Sequence, residues 1–204
     1  MHSINTEQTV ELSRGAVSGR ATGALFFLGF GTVWMFVGLK QTHHASRVAV
    51  VAFALVSLLL LVLTVLLMRS ARNLPAGNTS AEEEAKVQRM FNAVNIIQWV
   101  SVAAAILVLN MLRMPEYIVP AIAVIVGLHL FPLATAFQYR QHYLTGTLLV
   151  LLPLACLLLL PRERVSGVCA SGVAAVLMAS ATATLLRTFA AMREAAAAAA
   201  IPQH

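Results

Sequence analysis

Residues 121–137 read AIAVIVGLHLFPLATAF. Almost every position is apolar, with His129 and Pro132 set into the middle of the run. Apolar runs of about 18 or more residues read as transmembrane helices, whereas amphipathic helices break such runs every few positions. This stretch therefore decides the fold class: an all-α, polytopic integral membrane protein. It also raises a question, because a histidine and a helix-weakening proline are poor choices for a segment that only meets lipid.

Five further blocks of the same kind flank it. The six lie at about 21–39, 48–68, 90–112, 117–137, 143–160 and 165–186. Each is about 18–23 residues long, enough to cross a ~30 Å hydrocarbon core at ~1.5 Å per residue. The 204-residue chain is 59% hydrophobic and 11% charged, and its mean hydropathy is +0.82. Soluble domains carry about 25% charged residues, so this chain cannot cover a water-facing surface. A membrane barrel would show alternating segments of ~10 residues, and the blocks do not alternate. Pro120, Pro132 and Pro153 are compatible with membrane helices, whose neighbours can satisfy the freed carbonyls. Arg14 and Arg20 precede the first block as in a signal peptide. Its length, and the lack of an A-x-A site in KQTHHASR, mark it as a retained helix.

The basic residues lie between the blocks. Arg14, Arg20, Arg69, Arg72, Lys86, Arg89, Arg140, Arg187 and Arg193 fall on the side of the termini, and Lys40, Arg47, Arg113, Arg162 and Arg164 on the other. This bias predicts an N-in/C-in topology in a cell membrane, read as a bacterial inner membrane. The formal charge of +6 is explained by that pattern, and no basic stretch with interleaved aromatics points to nucleic acid.

Residues 1–20 are expected as a polar cytoplasmic lead-in, 21–186 as one membrane domain, and 187–204 as an alanine-rich cytoplasmic tail. Alanine favours helix, so the last helix can run on until Pro202 stops it. In the 69–89 loop, LPAGN reads as a turn. Ser80 followed by Glu83 is a capping-box pattern that starts the third helix near Ser80. Tyr117, Tyr139, Tyr143 and Trp34 are expected at membrane interfaces.

Polar residues inside the apolar blocks are the candidates for function. Asn92, Asn95 and Gln98 recur every three residues, with Trp99 in the same arc of ~120°. A lipid-facing row of carboxamides is costly, so this face is expected to point into the bundle. Gln98 lies ~12 Å in from one end of helix three, and His129 lies ~12 Å in from the same side of helix four. The short connection RMPE can bring them to one level. Pro132 removes the donor for the Leu128 carbonyl beside His129, and Gly127 precedes the histidine by two positions. His129, Gln98, Asn95, Asn92 and Trp99 form the candidate ligand site, with Pro132 and Gly127 as structural members. Two readings stay open. The first is a site that binds or passes a small polar molecule or ion. The second is a non-catalytic accessory or scaffold protein whose polar groups only hold helices together.

No nucleophile–base pair, phosphate loop or paired carboxylate is present, so no catalytic residue is expected, and no cofactor. His43 and His44 lack further ligands at metal spacing, and no metal is expected. Cys156 and Cys169 match in depth, which leaves a disulfide open; two buried free thiols are the default expectation. His142, at the inner interface, is expected to be solvated. Gly15, Gly19 and Gly23, and Gly167, Ser171 and Ala175, form small-xxx-small faces. These pack helices within the bundle or bring two copies together.

The stretches FNAVNIIQW, PEYIVPAIAVIVGLHLFPLA and HYLTG resemble a family of small, uncharacterised prokaryotic membrane proteins. Its most distinctive feature is a Gly-x-His-x-x-Pro core in the fourth helix. The resemblance implies a six-helix fold and singles out Asn95, Gln98, Gly127, His129 and Pro132. It implies no activity.

Overall fold

The computed structural model describes residues 12–42, 46–75 and 80–199. The His43–His44 pair, residues 1–11 of the expected lead-in, most of the LPAGN turn and the end of the tail lie outside them. The described residues form six α-helices: α1 (Arg14–Thr42), α2 (Arg47–Ala71), α3 (Ala81–Met111), α4 (Ile118–Ala136), α5 (Gln141–Leu159) and α6 (Arg162–Ala199). All six are long and apolar enough to cross a membrane.

Local chemistry sets the helix ends. Ser80 accepts from the Glu83 N–H at 3.2 Å while the Glu83 carboxylate accepts from the Ser80 N–H at 3.1 Å, the reciprocal box its spacing predicts. Ser46 caps α2 through the Ala49 N–H. α1 begins at Arg14, so residues 14–20 are helical. Ser13 accepts from the Ala16 N–H, and the Arg14 N–H donates to the Pro75 carbonyl. The expected extension of the last helix is present, with α6 running to Ala199. Two helices end in left-handed residues that are not glycine, Arg113 (φ 57°) and Gln138 (φ 49°). Gln138 offsets its strain by donating to the Thr135 carbonyl at 2.9 Å.

α6 is the central helix, touching α1, α2, α4 and α5. Helices in lipid gain little from apolar burial against one another, so close approach of small residues holds them together. Antiparallel α1 and α6 show this along their length. A Cβ on Gly38 would meet the Ser171 side chain and its backbone N at 2.9 Å. One on Gly31 would meet Met178 at 3.2 Å, and one on Gly167 would meet Thr42 at 2.9 Å. Ser171 and Gly167 thus serve packing inside the bundle, whereas Gly15, Gly19 and Gly23 have nothing within 4 Å. Trp34 is buried in the core with Phe27, Val173 and Leu177. Cys156 and Cys169 are free and buried.

Candidate functional site

Among the described residues α3 packs against one α-helix, α4, and the short 3-10 turn Pro115–Tyr117 that leads into it. The face it uses is Val94, Gln98 and Val102, spaced at four residues, with Phe91 at its lower end. The centre of the Asn92–Asn95–Gln98–Trp99 arc lies about 60° to one side of that face. The expected stripe therefore divides. Asn92 is exposed and accepts from Gln88 on its own helix at 2.9 Å. Asn95 is half-buried and donates to the Phe91 carbonyl one turn back, at 2.9 Å. Trp99 is 57% exposed. Gln98 alone of the four is buried, and its Oε1 has no hydrogen-bond partner.

The level of Gln98 follows from the aromatic contact between Phe91 and Phe137, whose ring centroids are 6.0 Å apart. Gln98 is seven residues along α3 from that contact, and His129 is eight residues back along antiparallel α4. At ~1.5 Å per residue they share one level within about a residue's rise. His129 is half-buried, and its Nδ1 lies 3.2 Å from the Val126 carbonyl of its own helix. Pro132 is exposed, as is Leu128, so the proline sits on the outer side of α4. Gly127 is buried on the opposite side, against α5: a Cβ there would meet the Gly146 carbonyl oxygen at 2.8 Å. The structure thus brings Gln98 and His129 to one level and puts Gly127 into packing. It leaves Asn92, Trp99 and Pro132 on the outside.

A second polar region, between α5 and α6, went unread in the sequence. The Gln141 amide donates to the Ser180 carbonyl at 2.8 Å, and Thr145 and Ser180 share a hydrogen bond of 2.8 Å. The Tyr139 hydroxyl reaches Gln141 Oε1 at 2.7 Å and Thr184 Oγ1 at 3.2 Å. Tyr139 therefore belongs to this network, and the Arg20 guanidinium stands over its ring at 5.8 Å. His142 is a correction. It is 9% exposed, not solvated. Phe27, Phe137 and Tyr139 surround its ring, at centroid distances of 5.6, 6.5 and 5.1 Å. Its Nδ1 has no partner. The available signal was the spacing of Gln141 and Thr145 on one face of α5 and of Ser180, Thr184 and Thr188 on one face of α6, all at four residues.

Two apolar cavities lie elsewhere. One, of about 380 Å³, is walled by Met35, Phe53, Val56 and Met178 between α1, α2 and α6; the other, of about 340 Å³, lies over Gly29 on α1. Among the described residues no three His, Cys, Asp or Glu side chains gather as a metal site would require.

A family model described as a family of unknown function (DUF7010) matches residues 12–187. The match spans all five inter-helix connections and most of the chain, so the chain belongs to that family. No curated protein and no solved structure matches it.

Proposed function

We propose, for a chain whose family carries no assigned activity, an integral membrane protein that binds or passes a small polar molecule or ion at the level of Gln98 and His129, between α3 and α4. The observation that supports this is the buried, unpartnered Oε1 of Gln98. A buried acceptor left unsatisfied costs about 1–3 kcal/mol, a cost that a bound donor removes. The other carboxamides of α3 spend a group on their own helix, and Gln98 does not. An intramembrane histidine at the same level adds a group that can donate or accept. The same reading puts both chain ends in the cytoplasm of a multi-pass cell-membrane protein.

An experimental structure in lipid, with density resolved at the Gln98 side chain, tests the proposal. An ordered water or solute within hydrogen-bond distance of Oε1 supports it. A direct contact of that oxygen with a protein donor sinks it.

A second reading, an accessory or scaffold membrane protein, is favoured by one observation. The Tyr139–Gln141–Thr145–Ser180 network spends its hydrogen bonds within the protein. Such a network ties α5 to α6 whether or not a solute binds.

A further inference from the structure

α5 and α6 run antiparallel, and one hydrogen bond fixes their register. Thr145 Oγ1 and Ser180 Oγ lie 2.8 Å apart across the two helices. Eleven residues further along α5 is Cys156, and eleven residues back along α6 is Cys169. Eleven residues make three turns with about 20° over, so each cysteine stands on the face its helix already turns to the other. At the level between the two pairs, Leu152 packs against Gly172, where a Cβ would meet it at 2.8 Å. The two thiols are near enough for a direct side-chain hydrogen bond. Both are buried in one apolar cluster, and they are the two cysteines of the chain.

We propose that Cys156 and Cys169 are a disulfide-forming pair that clasps α5 to α6 at the end of the bundle away from the chain termini. A disulfide needs sulfurs about 2.05 Å apart on Cβ atoms that face each other. The γ atoms of Thr145 and Ser180, in the same register, come within 2.8 Å, so the bond asks for a small closing movement and not a rebuilt backbone. Cys156 lies one turn from the end of α5 at Leu159, and Pro153 in the same stretch has no N–H for the Leu149 carbonyl. Opening of that last turn, where Leu158 and Leu159 are exposed, uncovers Cys156. The reaction partner is a disulfide-bearing oxidant. The Cys156 thiolate attacks it, forms a mixed disulfide and expels one thiolate. The Cys169 thiolate then attacks the Cys156 sulfur and expels the second. The cysteines give up two electrons and two protons, and the oxidant leaves as two thiols. Oxidation in cells rests on the reading that both chain ends are cytoplasmic, which sets this end of the bundle in an oxidising compartment.

The test uses the full chain in mild detergent, brought to equilibrium in glutathione buffers from fully reduced to fully oxidised, then acid-quenched and alkylated. Intact mass should pass in one step from two alkylated thiols to none, on a monomer lighter by two hydrogens. Thiols that persist in the oxidised buffer, a stable glutathione adduct on either cysteine, or a cross-linked dimer would overturn the pair. The oxidised chain should melt higher than the reduced one, and Cys156→Ser should abolish the difference. Equal melting of the two forms would overturn the clasp. In cells alkylated at harvest, both sulfurs should be blocked until a reductant is added. A pair that bonds when purified but stays reduced in cells would overturn the disulfide as a state of the working protein. A reporter fused at His204 in the same cells shows whether the topology has failed with it, and none of these readings depends on Gln98.

Discussion

Gly127 of α4 and Gly146 of α5 pack backbone to backbone. A Cβ on Gly127 would lie 2.8 Å from the Gly146 carbonyl oxygen, and one on Gly146 would lie 2.7 Å from the Gly127 carbonyl oxygen. The contact is reciprocal, so neither helix can yield by moving a flexible side chain. Gly127→Ala and Gly146→Ala should each lower unfolding stability by about 1–3 kcal/mol through overpacking. Gly19→Ala, where the added methyl meets nothing within 4 Å, should leave stability unchanged or raise it by up to about 1 kcal/mol. Denaturant titrations in mild detergent measure all three. A silent Gly146→Ala would mean that the two helices do not cross here.

The network between α5 and α6 gives a second expectation. Gln141 holds both the Ser180 carbonyl and the Tyr139 hydroxyl. Gln141→Leu strands two polar groups at once, so a loss of about 1–3 kcal/mol is expected. Thr145→Val and Ser180→Ala remove the two ends of one hydrogen bond. Their effects should be non-additive by about 0.5 kcal/mol or more in a double-mutant cycle. Simple additivity would show that the bond does not form.

His142 gives the opposite sign. Its ring is enclosed by Phe27, Phe137 and Tyr139, and its Nδ1 has no partner. An apolar ring in that position loses no hydrogen bond at Nδ1 and gains aromatic contact. His142→Phe should therefore keep or raise the melting temperature, whereas His142→Asp, which buries a charge, should prevent folding. A marked fall for His142→Phe would place an unseen partner on that nitrogen.

The sequence displayed the helices more clearly than their rotation. Long apolar runs announce six helices, and Ser80 with Glu83 marks a start that the structure reproduces atom for atom. Spacing also fixes which residues share a side of one helix: Asn92 and Asn110 do lie on one side of α3. What spacing cannot say is which side meets a neighbour. The stripe of α3 misses α4 by about a sixth of a turn, which leaves Gln98 inside and Asn92 and Trp99 outside. The same gap hid His142 and Trp34. Both sit where interface residues are common, and only the central position of α6, with α1 and α5 beside it, buries them. That position was written in the small residues of α6, Gly167, Ala170, Ser171 and Ala174, which let neighbours approach. Their composition is less apolar than that of α2, so hydropathy alone points the wrong way.

The account rests on Gln98 Oε1 being held ready for a solute rather than for another helix, and the unfolding free energy of Gln98→Leu tests this most directly. An oxygen without a protein partner contributes nothing to holding α3 against α4. The variant should therefore match or exceed the wild type in stability, and should show no coupling to His129→Leu in a double-mutant cycle. A loss of about 1 kcal/mol or more, with coupling of about 0.5 kcal/mol or more to His129→Leu, would show that the two side chains tie the helices together and would contradict the proposed site.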